Sequence, residues 1–133
     1  SKIMAITDAS GIPIAIHATS ASPNEVTLVE DTLRQAFLSH APRRLIGDRA
    51  YDSDRLDRRL RKRKIEMIAP NRAKRRQTQD GRQLRRYKRR WHVERFFAWI
   101  KNFRRVALRW DRKLEHYLGF TTLGCISLLL KRI

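Results

Sequence analysis

Residues 44–69 read RLIGDRAYDSDRLDRRLRKRKIEMIA, and this stretch decides the fold. The apolar run at 44–48 predicts a short buried strand that ends at an aspartate. Ser53 provides a helix cap, so a helix with inward-facing leucines is predicted from there through Arg63. The apolar residues at 65–69 predict a further strand, which a proline ends. Strand–helix–strand order is typical of a mixed α/β layered fold.

The segment before this stretch predicts a hairpin and a helix. Residues 1–20 are predicted to form the hairpin, with strands at 3–7 and 12–17 joined by Asp-Ala-Ser-Gly, which is turn chemistry. Ser-Pro-Asn-Glu at 22–25 combines a capping serine, a first-turn proline and a capping-box glutamate. An apolar face at helical spacing follows, formed by Val26, Val29, Leu33 and Phe37, so this helix is predicted to extend to about residue 40.

The second half of the chain is predicted to be helical after a basic loop. Residues 71–82 are polar and basic and contain Asp-Gly, which predicts the loop. A long helix is predicted over 82–103 because apolar residues recur there at helical spacing. A last helix over 112–131 has a heptad-like apolar face that includes Cys125, the only cysteine, which is predicted to be a core residue.

The net charge of +18 is distributed unevenly along the chain. Residues 43–105 carry 24 basic and seven acidic residues, whereas residues 1–42 carry two basic and four acidic residues. A near-neutral end joined to a strongly basic middle indicates a polyanionic partner, most simply nucleic acid. Apolar residues make up 41% of the chain and interleave with the charges, which argues against disorder outside 71–82. No signal peptide or membrane-spanning run is visible, so a cytoplasmic protein that does not contact membranes is expected.

Four residues of the long predicted helix share one face. Tyr87, Arg90, Glu94 and Lys101 are separated by three, four and seven residues, which places them on a stripe about 60° wide. Glu94 is thus a lone carboxylate on a face surrounded by cations such as Arg89. It is either an ion-pair partner of Arg90 or a metal ligand in a site for phosphates. The spacing alone leaves both interpretations open.

Asp48 is the second candidate ligand. It ends a predicted buried strand, and ligands collect at the carboxyl ends of strands in open α/β sheets. The preceding Gly47 would let backbone or substrate approach closely. The alternative is that Asp48 only caps the next turn or pairs with Arg49. Two carboxylates from distant segments, Asp48 and Glu94, suit Mg²⁺ or Mn²⁺, and two such ions about 4 Å apart would support in-line phosphoryl transfer.

Two aromatic residues lie beside this stripe in the sequence. Trp91 is about 60° from Glu94 on the predicted helix and could stack on an unpaired base, although packing at a helix edge explains it equally well. His92 lies far round the helix from Glu94 and is interpreted as non-catalytic. The histidines as a group show no metal-ligand spacing.

Three segments together resemble a known family. The stripe has the Tyr-x2-Arg-x3-Glu-x6-Lys spacing that is the signature of DDE transposases from bacterial insertion sequences. Residues 46–53, IGDRAYDS, resemble the segment that holds that family's second catalytic Asp. Residues 89–105 resemble its third-acid helix, and residues 7–13, TDASGIP, resemble the hairpin between its first and second acids. The resemblance covers nearly the whole chain.

The resemblance implies an RNase H-like fold, also described as retroviral-integrase-like, in which helices flank a mixed sheet. It implies two divalent metal ions, Mg²⁺ or Mn²⁺, held by two Asp and one Glu. Matched position by position, Asp48 is the second acid and Glu94 is the third, and both are expected to be catalytic metal ligands.

The implied function is DNA transposition by a bacterial, nucleoid-associated enzyme. The enzyme would hydrolyse DNA at the transposon ends, and the freed 3′-hydroxyl would then attack target DNA, so double-stranded DNA is the expected partner. By resemblance, Tyr87, Arg90 and Lys101 would contact phosphates or orient the third acid. Arg89 and Trp91 are the neighbouring candidates for DNA binding.

The chain departs from the family pattern at its first acid. In the family this Asp sits on a strand before the hairpin, whereas Asp8 is predicted to lie in the hairpin turn. We therefore expect the first acid and its strand upstream of Ser1, and we interpret 1–133 as a single partial catalytic domain that is inactive alone. A sheet without its first strand has an exposed pairing edge, which favours self-association into a homo-oligomer.

Two alternative functions remain open from the sequence. One is a metal-dependent nuclease of the same RNase H-like fold that does not carry out strand transfer. The other is a non-catalytic, basic DNA-binding remnant of a transposase, in which Asp48 and Glu94 would have no part in metal binding.

Overall fold

A computed structural model of the protein describes residues 1–71 and 89–131, and these residues form a mixed α/β structure. Short 3₁₀ turns at Glu25–Leu28 and Arg49–Tyr51 precede the first and second helices. In chain order the elements are β1 (Lys2–Thr7), β2 (Pro13–Thr19), α1 (Val29–Arg34), β3 (Arg44–Ile46), α2 (Asp54–Lys62), β4 (Glu66–Ile68), α3 (Trp91–Ile100), α4 (Arg104–Ala107) and α5 (Leu114–Lys131).

The first two strands form the hairpin that the sequence predicts. β1 and β2 are antiparallel, with Ile3 opposite Ala18. The Asp8 carboxylate closes the turn, because its Oδ1 accepts hydrogen bonds from the backbone N–H of Ser10 at 2.8 Å and of Ile12 at 2.9 Å. Gly11 has φ +80°, a left-handed conformation that favours glycine. Asp8 is thus a turn residue, as predicted.

The segment 44–69 folds as the predicted strand–helix–strand unit. β3 and β4 are parallel, and Leu45 is opposite Met67. The Ser53 hydroxyl accepts a hydrogen bond from the N–H of Leu56 at 3.3 Å and so caps α2. β3 is shorter than predicted and ends at Ile46, because the chain then turns into the 3₁₀ segment.

The described strands belong to two separate two-stranded sheets, β1–β2 and β3–β4. The hairpin lies between two apolar cores. Its strand β1 contacts both, because alternate residues of a strand point to opposite faces. Ile6 packs against the core formed by α1, α2, β3 and β4. Ile3 and Ala5 pack against the core of α3, α4 and α5, which contains Phe96, Ile100, Cys125 and Leu128.

The first helix differs most from its prediction. Ser22 does not cap it, and the N-cap position is Asn24, whose side chain makes no capping hydrogen bond. The chain forms one 3₁₀ turn and then a six-residue α-helix that ends at Arg34 rather than near residue 40. The reason is tertiary: Phe37 donates its N–H to the Ile14 carbonyl at 2.7 Å, so the chain pairs with β2 instead of continuing the helix.

The long helix predicted over 82–103 is described only from its second half. A 3₁₀ turn at residues 89–90 leads into α3, which ends at Ile100 rather than at residue 103. Phe103 has extended backbone angles and starts α4, which breaks the helix at this point. Tyr87 and nearly all of the predicted loop at 71–82 lie outside the described residues.

The last helix starts at Leu114, two residues later than predicted, and its buried face includes Tyr117, Thr121 and Cys125. Cys125 is fully buried, and burial raises the pKa of its thiol to about 12. The prediction of a core cysteine is confirmed. None of the helices described in residues 1–71 and 89–131 is both long and apolar enough to span a membrane.

Candidate catalytic cavity

A cavity of about 700 Å³ lies between β1, β3 and the amino-terminal end of α3. One wall is the edge of β1 from Lys2 to Thr7, and another is β3 together with Gly47 and Asp48. The start of α3 contributes Glu94 and the residues around it. Asp48 and Glu94, the two carboxylates selected from the sequence, therefore line the same cavity although 45 residues separate them along the chain.

Asp48 lies two residues beyond β3 and is half-buried. Its Oδ1 accepts a hydrogen bond from the N–H of Ala50 at 2.8 Å, so it caps the 3₁₀ turn. The capping role that the sequence offered as an alternative is thus present. Capping engages one carboxylate oxygen and does not exclude ligand binding through the other, since an ionised carboxylate accepts several hydrogen bonds or metal contacts.

Gly47 holds Asp48 close to an aromatic ring. A Cβ atom at Gly47 would lie 2.6 Å from Cδ2 of Tyr51 and 2.8 Å from Cε of Met67, so a side chain does not fit without displacement. The sequence suggested that a glycine here would permit close approach, and the approaching groups are the side chains of Tyr51 and Met67. The side chains of Tyr51 and Met67 therefore pack directly against the backbone at the residue before Asp48.

Tyr51 forms part of the cavity wall beneath Asp48. Burial raises the pKa of its hydroxyl to about 12, and the carboxylates of Asp48 and Glu25 act in the same direction. The hydroxyl donates to the sulfur of Met4 at 3.7 Å. Tyr51 therefore stays neutral near pH 7 and adds no negative charge beside Asp48.

Glu94 lies in the first turn of α3 and is exposed. Nη2 of Arg90 contacts its Oε1 at 2.7 Å, so the ion pair that the sequence offered as one of two alternatives is present. The Glu94 side chain is 57% exposed, and such surface pairs contribute little, about 0.3–0.5 kcal/mol. The Arg90 contact therefore does not hold the Glu94 carboxylate strongly against a competing ligand.

The donor chemistry of the cavity suits a hard divalent cation, because both candidate ligands are carboxylates. Within residues 1–71 and 89–131, no three His, Cys, Asp or Glu side chains are grouped as a metal site. Arg89 and Arg90 line the same cavity as the two carboxylates. Cations beside a carboxylate pair are the arrangement expected where a metal-bound phosphodiester is held.

The chain matches one protein family over almost its whole length. Residues 1–130 match the transposase DDE domain. The chain belongs to the transposase DDE domain family. This family is the one that the Tyr-Arg-Glu-Lys spacing and the 46–53 segment resemble.

Two relatives from bacteria support the same family. A protein of Burkholderia cepacia, named as a transposase for insertion sequence element IS402, is 40% identical over 133 residues. That match covers 94% of this chain but 60% of the relative, so the chain spans less than two thirds of that relative's length. A protein of Brucella ovis, named as a transposase for insertion sequence element IS6501, is 29% identical over 98% of both chains. No solved structure was found to match.

The other residues expected to bind DNA are placed differently in this DDE domain. Trp91 is 48% exposed and does not line the cavity; its ring stacks on that of His92, with centroids 3.9 Å apart. Lys101 follows the last residue of α3 and also lies outside the cavity. Tyr87 falls outside the described residues. Among the expected DNA-binding residues that the structure describes, Arg89 and Arg90 line the cavity together with Asp48 and Glu94.

Other cationic or titratable residues of this DDE domain's cavity, among them His40 and Arg43, were not selected from the sequence, and His92 was set aside as non-catalytic. The prediction that His92 points well away from Glu94 was incomplete, because both line the cavity. His92 lies at the junction with the hairpin, where its carbonyl oxygen is 3.6 Å from the Cβ position of Gly11. His40 and Arg43 precede β3 in a segment without helical or strand periodicity, so no spacing signal marked them.

Proposed function

We propose that this chain is part of the catalytic domain of a DNA transposase, with Asp48 and Glu94 as the second and third acids of its active site. The single observation that carries the proposal is that these two carboxylates, chosen from separate sequence segments, line one cavity. Membership of the transposase DDE domain family supports the same assignment.

The proposed fold is RNase H-like, with the first strand missing from this chain. In the described residues β1 pairs only with β2, and β3 pairs only with β4. The free edges of β1 and β3 both line the cavity, so a strand placed between them would join the two sheets into one mixed five-stranded sheet. The first acid would reach the cavity on that strand, beside Asp48.

Two divalent ions, Mg²⁺ or Mn²⁺, are the proposed cofactors, and Asp48 and Glu94 would be their ligands from this chain. When bound, such ions supply activation of the attacking oxygen and stabilisation of the leaving oxygen in phosphodiester chemistry. Arg89 and Arg90 would hold the non-bridging phosphate oxygens, since guanidinium groups bind phosphates with paired hydrogen bonds. Tyr87 and Lys101 keep, as proposals, the phosphate-contacting or Glu94-orienting roles that the resemblance implies.

The proposed reaction is hydrolysis at transposon ends followed by attack of the 3′-hydroxyl on target DNA. We propose that the 133-residue chain alone does not catalyse it, because Asp8, the only acid in the hairpin, is engaged in closing the turn. Magnesium-dependent strand cleavage by the chain, abolished by Asp48→Ala, would show this part of the proposal to be wrong. Joining of 3′-ends to a target duplex by a complete domain would distinguish a transposase from a nuclease.

Titration calorimetry with Mn²⁺ tests the assignment of the two acids. Asp48→Asn keeps an oxygen for the cap to Ala50, and Glu94→Gln keeps one for Arg90, so both remove charge with little change in shape. We expect each to weaken Mn²⁺ binding by roughly tenfold or more. Glu115→Gln is the matched control, since Glu115 is an exposed carboxylate on α5 that does not line the cavity.

Two results would contradict the proposal. Mn²⁺ affinity that neither substitution changes would remove both acids from any metal site and would favour the DNA-binding remnant. An equal loss in Glu115→Gln would show that the ion binds through the overall charge rather than in the cavity. Circular dichroism of each variant checks that the fold is retained.

A further inference from the structure

The solvent face of α2 carries four cations and, at its first residue, the carboxylate of Asp54. Arg55, Arg58, Arg61 and Lys62 are all exposed. At 100° per residue these four lie within about 120° and are centred opposite the buried face of the helix. We call them the outward face of α2. The buried face is formed by Leu56 and Leu60, which pack into the core with β3 and β4.

The ion pairs among the described residues, 1–71 and 89–131, do not include the four cations of this face. By contrast, Arg59, at the side of the helix, forms an ion pair in which its Nη2 contacts Oε2 of Glu30 at 2.6 Å. Two acidic residues, Asp54 and Asp57, lie in the first turn, whereas the charged residues of the last turn are all cations: Arg59, Arg61 and Lys62.

The carboxyl-terminal end of α2 adds further positive charge. Arg63 is the C-cap, and the next residue, Lys64, adopts φ +59° and turns the chain back into β4. Both are exposed. Basic residues are favourable at this end because the helix dipole is negative there. Helix-dipole stabilisation explains one or two cations in the last turn but not the four on the outward face.

This surface is separate from the catalytic cavity. β3 and β4 are parallel, and α2 runs from the carboxyl end of β3 back to the amino end of β4. The last residues of α2 therefore lie near the amino ends of the strands, whereas Asp48 lies near their carboxyl ends. Nine helical residues span about 14 Å. No residue of α2 lines the cavity.

We propose that the outward face of α2 is a second DNA-binding surface, which contacts the phosphate backbone of duplex DNA apart from the phosphates held at Asp48 and Glu94. The face contains no apolar side chain to insert into a lipid layer, and its long arginine and lysine side chains suit a regular row of phosphates. This proposal rests on the proposed function, because it takes DNA as the substrate of the domain. Binding there is independent of base sequence, since phosphate contacts carry no sequence information.

The test is duplex DNA binding by fluorescence anisotropy over a series of salt concentrations. The variant is Arg58→Gln with Lys62→Gln, two cations one turn apart on the outward face. The control is Arg112→Gln with Lys113→Gln, which removes one arginine and one lysine from an exposed turn before α5. Because both double variants lose two positive charges, any difference between them reports position and not net charge.

The logarithm of the DNA-binding constant falls linearly with the logarithm of salt concentration, with a slope of roughly −0.9 for each phosphate contact. We expect the α2 variant to make this slope less steep by about 0.9 to 1.8 relative to the control variant, which corresponds to the loss of one or two phosphate contacts. A smaller difference would overturn the α2 proposal while steep salt dependence in the unmodified chain still supports DNA as the partner. Absence of salt-dependent DNA binding in the unmodified chain would instead count against the proposed function. Loss of anionic-vesicle binding in the α2 variant with unchanged DNA binding would assign the face to membranes and would also overturn it.

Discussion

At the scale of single residues, Gly47 has the least room for change in the candidate site. A Cβ atom there would meet the ring of Tyr51 and the methyl group of Met67 at less than 3 Å. We expect Gly47→Ala to lower the free energy of unfolding by about 1–3 kcal/mol, as overpacking of a core does. Urea denaturation measures this change. Because Asp48 is the next residue, the same substitution should also weaken Mn²⁺ binding.

Gly119→Ala is the matched control for this prediction. Gly119 lies in α5, and nothing lies within 4 Å of the position that its Cβ would occupy. We expect this substitution to stabilise the protein by about 0.5–1 kcal/mol, because alanine is the better helix former. If both glycine substitutions proved neutral, the packing of Tyr51 and Met67 around Gly47 would be looser than the structure indicates.

The sequence singled out the carboxylates of the cavity more clearly than its cations. Asp48 and Glu94 each stood out by position, one after an apolar strand and one alone on a basic helix face. The cations could not be ranked in this way, because every turn of the basic region offers several of them. Their proximity to the cavity depends on the direction in which α3 crosses the hairpin. That direction is set by tertiary packing of Phe96 and Ile100, and spacing does not encode it.

At the scale of secondary-structure elements, the end of α2 carries a residue in a conformation that suits glycine better. Lys64 has φ +59°, Ile65 donates its N–H to the Leu60 carbonyl at 3.0 Å, and Lys64 donates to Arg61 at 2.9 Å. This is the Schellman pattern, in which glycine is the usual residue at the left-handed position. We expect Lys64→Gly to raise the free energy of unfolding by about 0.5–1 kcal/mol.

Lys62→Gly provides the control for this second stability prediction. It makes the same chemical change two residues earlier, inside the last turn of α2, where glycine costs about 0.5–1 kcal/mol relative to alanine. Chemical denaturation should therefore give opposite signs for the two variants. Destabilisation by both would mean that the lysine side chain at 64 makes a contribution that outweighs the backbone conformation.

The helices also show where sequence reasoning succeeds and where it fails. α2 was predicted well because its signals are local: Ser53 caps it and two leucines one turn apart face the core. α1 was predicted too long because its end depends on a distant partner, the Ile14 carbonyl that accepts from Phe37. Phe37 is 47% exposed, so the apolar spacing that placed it on a buried helix face was misleading.

At the scale of the whole molecule, the hairpin packs against both apolar cores, and its strand β1 also lines the candidate site. The same strand edge that lines the cavity contributes Met4, whose sulfur accepts the Tyr51 hydroxyl. The protonation state of Tyr51 is therefore linked to the integrity of the cavity and of the whole fold. Alkaline pH should reveal that linkage.

Folding stability should fall as the pH rises from about 10 to about 12, through the ionisation of Tyr51. Burial, with help from Asp48 and Glu25, raises the pKa of this hydroxyl from 10.0 to about 12 in the folded protein. In that window the unfolded chain loses the proton while the folded chain retains it, so deprotonation favours unfolding. Stability from this group is complete below pH 10 and declines above it. Because the ring is partly exposed, the loss should be on the order of 1–2 kcal/mol.

Tyr51→Phe isolates this contribution from that of Cys125, whose pKa is also raised by burial. The substitution removes only the hydroxyl and its weak hydrogen bond to Met4. We expect urea denaturation to show that the stability of the unmodified chain relative to Tyr51→Phe is constant below about pH 10 and decreases from about pH 10 to about pH 12. In Asp48→Asn, tyrosinate absorbance should show Tyr51 ionising at lower pH, since one of the carboxylates that hold its pKa up is gone. A difference that stays constant with pH would place the Tyr51 hydroxyl in solvent, away from the wall beneath Asp48.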